Sequence, residues 1–231
     1  MRSRQPLWVI AVCLSALAAA SCADFSKRGS SSYWPFAKEE DSRPGVKTAD
    51  DRIVELKQLA TEAKNQTPDR QAQLSADLAA QLQREQDPLV RMQLIKTLAA
   101  FPTPAATAML EAGLADNNPD VRVACCEAWV SRGGDEAVDA LTRVLSSDTN
   151  LDVRLAATRA LGNTRSPRAV GPLGEALNDA DPALQFRAVQ SLKSVSGQDF
   201  GDDLNAWRQY AKSGTVDVKT PSIAERLRRL F

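Results

Sequence analysis

Asn118-Pro119-Asp120-Val121-Arg122-Val123-Ala124-Cys125 sets a capping residue before a proline, then runs into an alanine-rich helix. The side-chain oxygen of such a cap satisfies free amides, and a proline in the first turn loses no hydrogen bond there. The phrase has three relatives: Asp87-Pro88-Leu89-Val90-Arg91, Asn150-Leu151-Asp152-Val153-Arg154 and Asp181-Pro182-Ala183-Leu184-Gln185. Their spacing is 31, 32 and 31 residues. A fixed period of this length marks a stacked repeat, in which each unit buries its apolar face against its neighbours.

A second punctuation mark lies between the copies. Thr67-Pro68, Thr103-Pro104 and Ser166-Pro167 open further helices by the same physics, and Gly134-Asp135 fills the equivalent slot. Each unit therefore reads as two antiparallel helices. The first carries a Leu/Val stripe, as in Val138, Leu141 and Leu145 or Val170, Leu173 and Leu177. The second carries small core residues, Ala124, Cys125 and Ala128 or Ala156, Ala157 and Ala160, which allow close helix approach. Thr48 with Asp51 opens a helix with the stripe Ile53, Leu56, Ala60 and Ala63. Cys125 aligns with Leu94, Ala157 and Ala188, which makes it core packing, and adjacent Cys125 and Cys126 do not suit a disulfide. Near the end, Phe200, Leu204, Trp207 and Tyr210 sit among charged residues, as suits a terminal unit that closes an exposed core.

These features resemble the HEAT-repeat superfamily. The match rests on Asp-Pro-x-Val-Arg-x-x-Ala-x-x-Ala-Leu followed by Gly and a Ser/Thr-Pro helix, and is closest to the short variety found in phycobilin lyases. It covers roughly residues 67–195. The resemblance implies an all-α, right-handed solenoid of about five antiparallel hairpins over residues 48–212, with second helices lining the concave side. It also implies a protein-binding scaffold. A bilin-lyase-like enzyme is a remote alternative that follows from repeat similarity alone.

Residues 1–22 read as a targeting segment: Arg2 and Arg4, an apolar run from Leu7 to Ala20, then Ala19-Ala20-Ser21-Cys22. This resembles a bacterial lipoprotein signal, although Ala19 stands where that family prefers Leu. The resemblance implies acylation of Cys22 as the first mature residue, and an ordinary signal peptide is the alternative. Several acyl chains, at about 0.8 kcal/mol per buried methylene, make such an anchor effectively permanent. Residues 23–47 lack helical period and read as a flexible tether spanning roughly 25 to 30 Å. Within it, Tyr33-Trp34-Pro35-Phe36 offers three aromatics to a membrane interface, a partner or the repeats. Residues 213–231 read as a link followed by a short amphipathic stretch, with Ile223, Leu227, Leu230 and Phe231 against Arg226, Arg228 and Arg229. It suits docking on the repeats, a partner or a membrane.

Composition narrows the chemistry. The chain has 29 basic and 29 acidic residues, and losing Arg2 and Arg4 leaves 27 against 29. That balance lacks the surplus of a nucleic-acid binder. There is no histidine, which removes His-based triads, acid–base steps and metal ligands. No phosphate-cradling glycine loop is present. The reading is therefore of a non-enzyme, with no cofactor, no metal and no small-molecule substrate.

Two sets of recurring residues remain as candidate sites. Arg91, Arg122 and Arg154 recur at one position, with Gln185 in the fourth copy. The resemblance implies an inter-repeat ladder with Asp120 and Asp152 as partners; a direct contact to an anion or partner is the alternative. Met92, Val123, Leu155 and Phe186 lie two residues beyond each signature Val or Leu, about 200° around the helix from the packed face. Helices about 10 Å apart would string these four into an apolar line roughly 30 Å long. Lys96, Glu127, Arg159 and Gln190 form a polar row beside it. Together they predict a groove for a protein or peptide partner, on a lipid-anchored protein of the bacterial envelope whose folded part lies outside the cytoplasm. A structural spacer or assembly factor of an envelope complex is the competing role.

Overall fold

The computed structural model describes residues 47–215. The expectations for the targeting segment, Cys22, the tether with Tyr33 to Phe36, and the stretch from Ser222 to Phe231 lie outside the described residues. Ten α-helices and no strand are found among those described. In chain order they are α1 (Ala49–Glu62), α2 (Pro68–Arg84), α3 (Pro88–Leu98), α4 (Pro104–Gly113) and α5 (Pro119–Arg132). They continue with α6 (Gly134–Ser147), α7 (Leu151–Thr164), α8 (Val170–Ala176), α9 (Pro182–Ser196) and α10 (Leu204–Ser213).

Cap chemistry places the helix starts. Thr48 and Asp51 form a reciprocal box, Asp51 N–H donating to Thr48 Oγ1 at 3.2 Å and Thr48 N–H to Asp51 Oδ2 at 3.0 Å. Asp87, Thr103, Asn118, Asn150 and Asp181 each accept a backbone N–H of the first turn they precede. Ser166 differs. It makes no side-chain cap bond, and Pro167–Ala169 forms a 3₁₀ turn that leads into α8, at 7 residues the shortest α-helix among the described residues. Gly133 likewise caps α6 without a side chain.

The second helices α1, α3, α5, α7 and α9 stack in one row, each packed on the next. The hairpins α2–α3, α4–α5, α6–α7 and α8–α9 are complete, with α1 at one end of the stack and α10 at the other. Small residues set the spacing of the row: Cys125, Ala157 and Ala188 are fully buried. Hydroxyls also tie neighbouring helices of the row together, two of them buried. Thr97 Oγ1 donates to Leu56 O at 3.1 Å, and Ser191 Oγ to Thr158 O at 2.9 Å. Glycines allow the closest approaches: a Cβ at Gly162 would lie 2.9 Å from Ser191 Cα, and one at Gly113 would lie 2.5 Å from Cys125 Sγ.

Cys125 and Cys126 are both buried and unpaired. Burial pushes both thiols up, Cys126 to about 12. At the far end, Trp207 is fully buried, its Nε1–H donating to Gly201 O at 3.0 Å. Phe200 meets its ring edge-on at a centroid distance of 4.8 Å, and Tyr210 stands at 6.1 Å. This aromatic cluster covers apolar surface that a further repeat would otherwise have to cover.

Candidate functional site

The arginine at the fourth residue after each cap joins one repeat to the next. Arg91 donates through Nε and Nη2 to both carboxylate oxygens of Asp116, each at 3.0 Å. Arg122 does the same to Asp148 at 2.7 and 3.0 Å. Arg154 reaches Asp179 only at 3.7 Å, and its buried Nε–H has no acceptor within hydrogen-bond distance. The acidic partners are therefore not Asp120 and Asp152, which are exposed in the first turns of α5 and α7. In those first turns their carboxylates face the positive end of the helix dipole and need no arginine.

The true partners share one register, two residues before each cap. Each also accepts the backbone N–H of its own cap residue: Asn118 N–H to Asp116, Asn150 N–H to Asp148 and Asp181 N–H to Asp179, at 2.8 to 2.9 Å. Glu85 takes the same place before Asp87, accepting its N–H at 2.9 Å and pairing with Arg52, four residues after Thr48. The ladder thus begins one helix earlier than the four copies suggest. Asp116, Asp148 and Asp179 recur with the period of the repeat, and that recurrence was the available signal.

Each arginine also holds the loop before its own helix. Arg91 donates to Gln86 O at 2.8 Å, Arg122 to Asp116 O at 2.8 Å and Arg154 to Asp148 O at 3.2 Å. Gln185 keeps this half of the role, donating to Asp179 O at 2.7 Å. It carries no charge to send forward. Burial works against the charge of Asp148, but Arg122, the Asn150 N–H and Arg154 outweigh it and hold the carboxyl below its ordinary range. Glu85 is depressed likewise: burial opposes its charge, and the Asp87 N–H and Arg52 prevail. The hydrogen bond to Asp148 raises the pKa of Arg122.

The two rows predicted beside the ladder are adjacent on the second helices, but their exposure is uneven. Met92, Val123 and Leu155 are half-buried and pack partly against the core. Phe186 is 58% exposed, on the last helix of the row. The departure from a fully open line has a simple cause: each of the first three has a following second helix packed beside it, and Phe186 has none. In the polar row, Glu127 lies 3.2 Å from Lys96 and 3.5 Å from Arg159, which links three consecutive repeats. Gln190 is half-buried beyond them.

Among the described residues, no cluster of three or more cysteines and carboxylates could hold a metal ion, and no helix is long and apolar enough to cross a membrane. The geometry is that of a stacked array of helical hairpins, an α-solenoid with a charged seam running along its loops. The family model for HEAT repeats matches residues 75–159 and again residues 138–218. Together these spans cover more than half of the chain, which belongs to the HEAT-repeat family. No curated protein matches it.

Proposed function

We propose that the protein is a lipid-anchored scaffold of the bacterial envelope, which holds a protein or peptide partner on the face formed by its second helices. The observation that carries this reading is the exposed Phe186, at the open end of an apolar row flanked by the Lys96–Glu127–Arg159 ion pairs. Large exposed apolar side chains beside mixed charge suit a contact surface with an apolar centre and polar rim. The HEAT-repeat family membership supports protein binding in general. The lipobox-like Ala19-Ala20-Ser21-Cys22 supports the anchor.

A photocrosslinking residue in place of Phe186, in intact cells producing the full chain, tests the surface. One dominant crosslinked species that Leu155→Glu removes, with helicity unchanged, supports the groove; uniform background labelling refutes it. Metabolic labelling with a palmitate analogue, compared between the native chain and Cys22→Ser, tests the anchor. Equal labelling of both would remove it.

A further inference from the structure

One interval of the array breaks the pattern that the others keep. First helices pack on their successors as α2 on α4, α6 on α8 and α8 on α10, yet α4 and α6 do not pack closely. The link that leads into α6 is the shortest between α-helices among the described residues. A single residue, Gly133, separates α5 from α6, and Gly133 and Gly134 both have positive φ, at 72° and 80°. Such angles strain any residue with a side chain. Between α4 and α6 lies an open-sided cleft of about 760 Å³. The Arg143–Glu111 ion pair is the bridge across it.

The floor of this cleft is also exceptional. Trp129 lines it, at the position that Leu98, Leu161 and Leu192 hold in the other copies. Trp129 is 2% exposed, and its indole N–H has no acceptor. A buried donor left unpaired costs on the order of 1 to 3 kcal/mol, which a leucine at this position would avoid. Departures from a locally consistent pattern are expected at functional or strained positions.

The charges around the cleft favour one kind of ligand. Arg132 is committed to Phe101 O at 2.6 Å, Thr103 O at 3.2 Å and Thr107 Oγ1 at 2.5 Å. Of the lining carboxylates, Glu111 is paired with Arg143 and Asp139 with Arg168. Glu136 is exposed; its charge acts on Arg132 across the cleft, but no cation among the described residues forms an ion pair with it.

We propose that the cleft between α4 and α6 is a second binding site, separate from the Phe186 surface, for an extended peptide segment bearing lysine or arginine. A cationic side chain pairs with Glu136, and a main-chain carbonyl accepts the Trp129 indole N–H. That N–H is shielded from solvent, so seating the carbonyl displaces a side chain of the cleft wall. An extended strand suits an open-sided cleft, because alternate side chains face the wall while its backbone remains available.

The test uses the full chain in non-ionic detergent with ¹⁵N-labelled indoles. The probes are a hexapeptide of alternating alanine and lysine, acetylated and amidated, and its counterpart with glutamate in place of lysine. Trp129→Leu assigns the Trp129 resonance. The lysine peptide is expected to shift that resonance saturably, leaving Trp207 unmoved. Glu136→Gln, on the surface and harmless to folding, is expected to weaken binding about two- to fivefold, the worth of one exposed ion pair. No shift, an equal shift with the glutamate peptide, or affinity unchanged by Glu136→Gln overturns the proposal. Leu155→Glu serves as the control that separates the two surfaces. It abolishes crosslinking from position 186 at the other face and leaves this titration intact.

Discussion

Arg122 on α5 and Asp148 before α7 meet through two parallel hydrogen bonds, at 2.7 and 3.0 Å, with 14% and 9% of their side chains exposed. The same Asp148 accepts the N–H of the Asn150 cap at 2.9 Å, so one carboxylate fixes both the start of a helix and its attachment to the previous repeat. A bidentate, largely desolvated pair of this kind is sensitive to the loss of either member.

Asp148→Ala is expected to destabilise the folded array by about 2 to 3 kcal/mol, because it strands the Arg122 guanidinium and frees the Asn150 amide. The double variant with Arg122→Met should cost less than the two single changes combined. Urea unfolding of all four proteins measures the coupling, and simple additivity would show that the pair acts only as two separate contacts.

Acid should unpick the ladder. Asp148 and Glu85 have folded pKa values held below their ordinary ones. Their stabilisation is therefore complete above the unfolded carboxylate value, near 4, and is lost as pH falls through the lower folded value. With no histidine in the chain and both core thiols pushed up, the melting temperature should be nearly flat between about pH 5 and 8. Thermal scans over that range and down to about pH 2 check both limbs, and Asp148→Asn should flatten the acidic one.

Gly113→Ala is expected to destabilise despite the better helix propensity of alanine. Its Cβ would stand 2.5 Å from Cys125 Sγ and 3.0 Å from Ile95 Cδ1, both fully buried side chains. Overpacking of this sort costs about 1 to 3 kcal/mol, against about 1 kcal/mol gained in propensity. Cys125→Ala in the same chain should recover much of the loss in denaturant titrations.

Trp207→Ala should remove the C-terminal closure. The side chain is fully buried and anchors the aromatic cluster with Phe200 and Tyr210. A loss of about 3 to 5 kcal/mol is expected, with increased amide exchange concentrated in α8 to α10. Uniform loosening of every repeat would contradict a local closing role.

Native Cys125 and Cys126 should resist thiol reagents and react only on unfolding, since both are buried and their thiolates are strongly disfavoured. Labelling stoichiometry before and after urea addition measures this.

The repeat was legible because its signals are local. A cap, a proline and an alanine stripe act within one helix, so Asn118-Pro119 and Asp181-Pro182 announced their starts without knowledge of what packs nearby. Partnership across repeats is not local. Asp120 and Asp152 suited the arginines by spacing alone, but the loops before the caps carry Asp116 and Asp148 to the guanidinium groups instead. The half-burial of Met92, Val123 and Leu155 has a related cause: rotation about one helix axis carries no information on the neighbouring helix that covers them. Ser166 shows the limit even of local rules, since its proline follows but its oxygen caps nothing.

Gln185 donates to its own loop and carries no cation toward α10. The seam therefore has a terminus written into a single uncharged amide. An extra hairpin spliced in between Asp116 and Asp148 would inherit a docking partner on each side, whereas one appended beyond Ser196 would meet an amide where the ladder needs a guanidinium. The number of units is in this sense encoded, and lengthening the array has one permissive address and one closed one.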